Sequence, residues 1–212
     1  MVAFDATELP SSWPVPAEPP VAPGGPAADN EKEWLDVVNE KNEVVGKELR
    51  GKCHKEGILH RAVHVFLFRK DGSLLIQRRS ARKKLAPTCW DLSAAEHLSV
   101  GESYLEAARR GLQEELGVSV DLASIEVLDE PHERRLQVPE IGVDDHEMVQ
   151  AVAVRGYEGD VTPDFVEVSE VRWVDPRCVW ADMAGEPDSY TEWFRGQAMR
   201  LGWRSSATAE LY

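Results

Sequence analysis

Lysine and arginine are missing from the first 31 residues of this 212-residue chain, cysteine occurs only three times, and no apolar run approaches bilayer-spanning length. The first absence excludes the charged start of a secretory signal, and the last leaves no candidate transmembrane helix. Cys53, Cys89 and Cys178 are odd in number and lack the close spacing of zinc ligands. Neither a disulfide framework nor a cysteine-based zinc site is therefore indicated, and a reducing compartment is expected. Positive charge is scarce overall: the net charge is -14 and the sequence pI about 4.9. Such a chain repels nucleic acid and anionic membrane, so a phosphate-bearing ligand must meet local bases or a metal. The expectation is a cytoplasmic monomer or homodimer with no nucleic-acid or membrane partner.

What is present divides unevenly. Residues 1–30 hold seven of the thirteen prolines, four acids and no base, a composition expected to stay disordered. One domain is expected over 31–205, with a short tail over 206–212. "EWLDVVNEKNEVVGKEL" reads as a hairpin turning at Asn39–Glu43, and "HRAVHVFLFR" and "SLLIQRR" form a second around Asp71-Gly72. Residues 103–116 place Leu105, Ala108, Leu112 and Leu116 at helical spacing, with Gly117 as the C-terminal cap. Strands near 124–129, 147–156 and 171–174 follow, then helices over 176–184 and 188–201. Strands interrupted by one helix, with helices at the end, indicate an α+β fold.

The helix contains a puzzle. Gly111 sits in its interior, where glycine costs about 1 kcal/mol against alanine. Gly111, Glu114 and Glu115 stand three and four residues apart, so the gap and the two acids are expected on one side. Paired carboxylates there can hold a hard cation, which in turn can hold a diphosphate.

The run "EHLSVGESYLEAARRGLQEELGV" resembles the signature of the Nudix hydrolase family: Gly, five residues, Glu, seven residues, Arg-Glu, an aliphatic, any residue, Glu-Glu, any residue, Gly, an aliphatic. Glu102, Arg110, Leu112, Glu114, Glu115, Gly117 and Val118 match in spacing. The resemblance implies a mixed β-sheet sandwiched between α-helices. It also implies that Glu114 and Glu115 bind Mg2+ or Mn2+, that Glu102 and Arg110 fix the loop to the helix, and that Arg110, Glu114 and Glu115 belong to the catalytic set. Two positions depart from it: Glu96 replaces the first glycine, and Gly111 replaces the acid after Arg110. One reading is a relocated carboxylate, Glu96 reaching into the volume vacated at 111 as metal ligand or base; the other is that Gly111 serves close packing.

Upstream, "LHRAVHVFLFRKDGSLLIQRRSARKKLAPTCWDLSAAEH" is similar to isopentenyl diphosphate isomerases, aligning without a gap from about Leu59 to Val118. That similarity places His60 and His97 at metal-binding positions, and imidazole suits manganese or zinc better than magnesium. It also puts Ala95 where those enzymes carry a proton-transfer cysteine, which removes half of an alkene isomerisation. In "QRRSARKK", Arg78, Arg79, Arg82 and Lys83 are expected to contact the diphosphate, and Lys84 belongs to the same run. Glu147 is a further candidate base. The expected function is metal-dependent hydrolysis of a small-molecule diphosphate, nucleoside-type or prenyl, with Glu96 or Glu115 taking the proton from water. An isomerase-like enzyme and a catalytically weak diphosphate-binding module stay open as alternatives.

Overall fold

The computed structural model describes residues 29–203. The expected disordered segment therefore lies outside the described residues except for Asp29 and Asn30, as does the expected tail over 206–212. Strands β1 (Trp34–Val38) and β2 (Val44–Leu49) form the first hairpin, and helix α1 (Arg50–Glu56) follows at once. The central strand β3 (His60–Arg69) turns at Gly72 into β4 (Leu74–Arg79); short β5 (Trp90–Asp91) and β6 (Ala94–His97) lead to α2 (Tyr104–Leu116). Then come β7 (Ile125–Val127), β8 (His132–Val138), β9 (Val143–Tyr157), β10 (Val168–Val174), α3 (Pro176–Gly185) and α4 (Glu192–Arg200).

β3 organises the sheet. It pairs in parallel with β9, from His60 opposite Glu147 to Leu67 opposite Val154, and antiparallel with β6, from Ala62 opposite His97 to Val65 opposite Ala94. β1 joins near its start and β4 near its end. Because side chains alternate across a strand, Val63, Val65 and Leu67 face Ala108, Leu112 and Leu116 of α2. Phe66 and Phe68 face Val179, Met183, Phe194 and Ala198 of α3 and α4 on the other side. The continuous apolar run of β3 is thus explained by a strand buried on both faces, and the mixed sheet between helices is as expected.

Helix α2 is bounded as its sequence dictates. Ser103 and Glu106 form a reciprocal capping box, and Gly117 closes the helix at φ 65, its N–H donating to the Gln113 carbonyl. Two expectations need correction. Residues 188–191 are not helical in the α sense: a 3-10 turn ends at Ser189, and Thr191 caps α4 by accepting from the Phe194 N–H. β9 starts four residues earlier than expected, at Val143, because Arg134 and Arg135 of β8 pair with charged residues the apolar pattern passed over. Glu147 is therefore in the body of a strand. Helix α1 and strand β8 go beyond the expected elements, since each has only an isolated apolar contact with the core, Cys53 in α1 and Leu136 in β8.

Candidate metal centre and diphosphate site

The pleat of β3 and its two neighbours sorts the polar residues. His60, Ala62 and His64 share the α4 face, and the register adds Ala95 and His97 from β6 and Glu147 from β9. Asp145, two residues before Glu147, falls on the same face, and α1 brings His54 over it. One ligand-capable atom from each of His54, His60, His97 and Asp145 lies within 4.8 Å of all the others. His54 Nε2 is 3.3 Å from His97 Nε2 and 3.5 Å from Asp145 Oδ1; His60 Nε2 is 3.7 Å from that same oxygen.

The hydrogen bonding leaves two of these atoms without a partner. His60 Nδ1–H donates to the Ile58 carbonyl at 2.8 Å, which leaves its Nε2 lone pair bare. His60 Nε2 and Asp145 Oδ1 are buried and have no hydrogen-bond partner. Unpaired polar atoms inside a protein are costly, and two facing each other across a ring of imidazoles fit a divalent cation. Burial holds the His54 imidazole below its ordinary pKa; burial, Arg50 and the adjoining imidazoles hold His97 well below it. Neutral imidazole is the ligand form. Arg134, inside the same wall, donates to Asp145 at 3.3 Å and closely to Glu147. Burial works to raise the Glu147 carboxyl, but Arg134 and the nearby histidines outweigh it and hold it below the usual range.

A second group lies on the α2 face. Arg110 donates to both oxygens of Glu102 at 3.0 Å, to Glu96 at 3.0 Å, to Glu114 at 3.2 Å and to the His97 carbonyl at 2.8 Å. One guanidinium thus ties the loop to the helix. A Cβ placed on Gly111 would come 2.3 Å from Glu96 Cγ, so Glu96 occupies the space that any side chain at 111 would need. Glu115 is buried against Gln77, which donates to it, while Glu114 is largely exposed. The two adjacent acids do not share one side as expected, because successive helix residues are turned about 100° apart. Burial, and then the Glu96 carboxylate beside it, push the Glu115 carboxyl well above the usual range.

The five anticipated metal ligands are therefore split. Glu96 and His97 are neighbours on β6 and leave it on opposite faces, so His60 and His97 join one group and Glu96, Glu114 and Glu115 the other. Both groups border one cavity of about 400 Å³, whose wall also carries Arg50, Arg79, Lys83, Lys84 and Arg134. Arg78 donates instead to the Thr88 carbonyl, and neither it nor Arg82 is part of that wall. Arg79 is held by Asp91 at 3.1 Å, and Lys83 by Glu167 at 2.6 Å. Asp29 closes one side, 3.0 Å from Arg50.

The model of the NUDIX domain matches residues 58–194. The chain belongs to the Nudix family. This Nudix chain is 33% identical over 171 residues to an isopentenyl-diphosphate Delta-isomerase of Burkholderia multivorans, covering 81% of this chain and 94% of that one. It is 45% identical over 93 residues to an uncharacterized Nudix hydrolase of Listeria monocytogenes, covering 43% and 54%. Among solved structures, DR0079 from Deinococcus radiodurans is similar to the Nudix chain with a TM-score of 0.64 and 28% identity, covering 80% and 99%.

Sequence reasoning missed His54, Asp145, Arg50 and Arg134. For Asp145 a signal existed: Asp145 and Glu147 alternate with the residues between them, the pattern of two acids on one strand face. His54 lies in a short polar helix with nothing to single it out.

Proposed function

We propose that this Nudix chain is a divalent-metal-dependent hydrolase that cleaves a diphosphate linkage in a small molecule. The observation that carries this reading is the pair of buried atoms without a hydrogen-bond partner, His60 Nε2 and Asp145 Oδ1, 3.7 Å apart beside a cavity whose wall holds Asp145 together with Arg50, Arg79, Lys83 and Lys84. His54, His60, His97 and Asp145 hold the cation. Three imidazoles and one carboxylate suit manganese or zinc; the acids Glu96, Glu114 and Glu115 offer the oxygen chemistry of magnesium or manganese. When bound, the cation supplies positive charge to the diphosphate oxygens.

The bases, Arg79 and Lys83 foremost, bind the phosphate oxygens through charge-assisted hydrogen bonds. The oxygen of water attacks phosphorus, the bridging P–O bond breaks, and a carboxylate takes the water's proton. Glu96 is better placed than Glu115 for that last role. It borders the cavity, whereas Glu115 is buried against Gln77 and does not reach the cavity wall. The test is phosphate or monophosphate release from nucleoside and prenyl diphosphates with magnesium, manganese or zinc. Metal-dependent release supports hydrolysis; binding without release points to a diphosphate-binding module.

A second reading, an isomerase-like enzyme, is favoured by the three-histidine cluster and by the names of the relatives. Ala95 opposes it, since a methyl group cannot transfer a proton. Deuterium uptake from heavy water into isopentenyl diphosphate would establish it.

A further inference from the structure

His64 is used by neither group described above. It lies four residues beyond His60 on the same face of β3, about 13 Å along the strand, and lines the same cavity. Its register neighbours are Ala95 on one side and Ala151 on the other, so small methyl groups flank the imidazole.

A chain of hydrogen bonds fixes its tautomer. Asp129 can only accept, and it accepts from Gln197 Nε2 at 2.9 Å, from Arg200 at 3.0 Å and from the Ala151 N–H at 2.8 Å. With its amide nitrogen committed, Gln197 turns Oε1 toward His64 Nδ1 at 3.2 Å. An amide oxygen only accepts, so the proton sits on Nδ1 and the lone pair on Nε2. Among the described residues, none hydrogen-bonds to that Nε2. Burial also holds the imidazole below its ordinary pKa, which keeps it neutral.

We infer that His64 Nε2 is a specificity-determining acceptor that reads a hydroxyl or N–H on the organic part of the ligand, so that the site takes hydroxylated or amino-bearing diphosphate esters in preference to purely hydrocarbon ones. This rests on the diphosphate reading above and narrows its substrate class. A hydrocarbon chain over His64 would bury a lone pair with no donor, and sites built around such a hydrogen bond discriminate strongly against ligands that lack it. Asp129 and Gln197 are positioning residues, acting only through the imidazole.

The test uses the full-length, manganese-loaded protein and methylenediphosphonate esters, whose P–C–P bridge water does not cleave. Calorimetry compares the 3-hydroxypropyl ester with the propyl ester, and methylenediphosphonate itself is the control. The hydroxylated ester is expected to bind at least about tenfold more tightly. His64→Leu should bring the ratio to about one, His64→Gln should keep part of it through its amide oxygen, and Gln197→Leu should lower it by freeing the ring to change tautomer. Equal affinities in the unaltered protein, which need no variant to measure, overturn the inference, as does a preference that survives His64→Leu. If methylenediphosphonate fails to bind, the diphosphate reading falls and the inference with it; if it binds and the ratio is one, the inference alone falls.

Discussion

The two polar groups on either face of β6 differ in what they leave undone. On the α2 face, Arg110 and Gln77 hydrogen-bond Glu96, Glu102, Glu114 and Glu115, so the acids are held by the protein itself. On the α4 face, three imidazoles and Asp145 crowd together with His60 Nε2 and Asp145 Oδ1 unpaired. The acids form a brace tied by Arg110 and Gln77; the histidines and Asp145 form the proposed cation socket. On the reading proposed above, the helix acids chiefly brace the loop, and the stronger demand for metal lies on residues outside that signature.

The largest effect that would sharpen this contrast comes from the socket. His60→Ala or Asp145→Asn is expected to weaken manganese binding at least about 100-fold, more than the loss of an outer hydrogen-bonding partner costs a metal site. Fluorescence or calorimetric titration measures it. Glu114→Gln, an exposed acid of the brace, should change manganese affinity far less, and equal losses would erase the distinction.

Next is the relocated carboxylate. Glu96→Gln is expected to lower turnover about 100-fold in steady-state assays, as removal of a general base does. Gly111→Ala should destabilise by about 1–3 kcal/mol, an overpacking cost, because its methyl meets Glu96 Cγ. Glu96→Gly combined with Gly111→Ala should recover most of that stability in denaturant unfolding. Additive losses would mean that Glu96 and Gly111 are not coupled.

Arg110→Met tests the brace directly. Five hydrogen bonds are lost at once from a guanidinium that is 25% exposed. Partial exposure puts the cost below that of a fully buried pair, at about 2 kcal/mol. Manganese affinity at the socket should fall much less than in Asp145→Asn.

The smallest effect concerns Asp144, beside Asp145 on β9 but facing outward. Its hydrogen bonds from Arg135, at 2.7 Å, hold the carboxyl down to about 2. A lowered folded value means that the contribution is present above the ordinary carboxylate range and is lost as pH falls through about 2. Arg135→Gln should therefore lower Tm slightly at neutral pH and not at all below about pH 2. Because the pair is exposed, a large drop would show that it supports Asp145.

Much of this was legible in the sequence where spacing is short. Glu102, Arg110 and Gly117 stand within one loop and one helix, so resemblance to one short signature implies the Glu102–Arg110 pair, and helical spacing gives Gly117 as the cap. His60 and His97 were visible as ligand types but not as partners of His54 and Asp145. The register of β3 with β6 and β9 brings His60, His97 and Asp145 together, and α1 packing adds His54; neither is a property of a local window. The opposite orientations of Glu96 and His97 follow from the strand pleat, which becomes readable only once Ala94–His97 is known to be a strand. Arg78 and Arg79 illustrate the same limit: adjacent bases on β4 point apart, and only Arg79 reaches the cavity.

The most direct test of the socket and brace is a manganese titration followed by electron paramagnetic resonance, without diphosphate, on the full-length protein, His60→Ala and Glu115→Gln. The account expects tight binding, with nitrogen hyperfine coupling from imidazole, in the unaltered protein and in Glu115→Gln, and loss of that signal in His60→Ala. A signal lacking nitrogen coupling, abolished by Glu115→Gln and untouched by His60→Ala, would place the cation on the helix acids and contradict it.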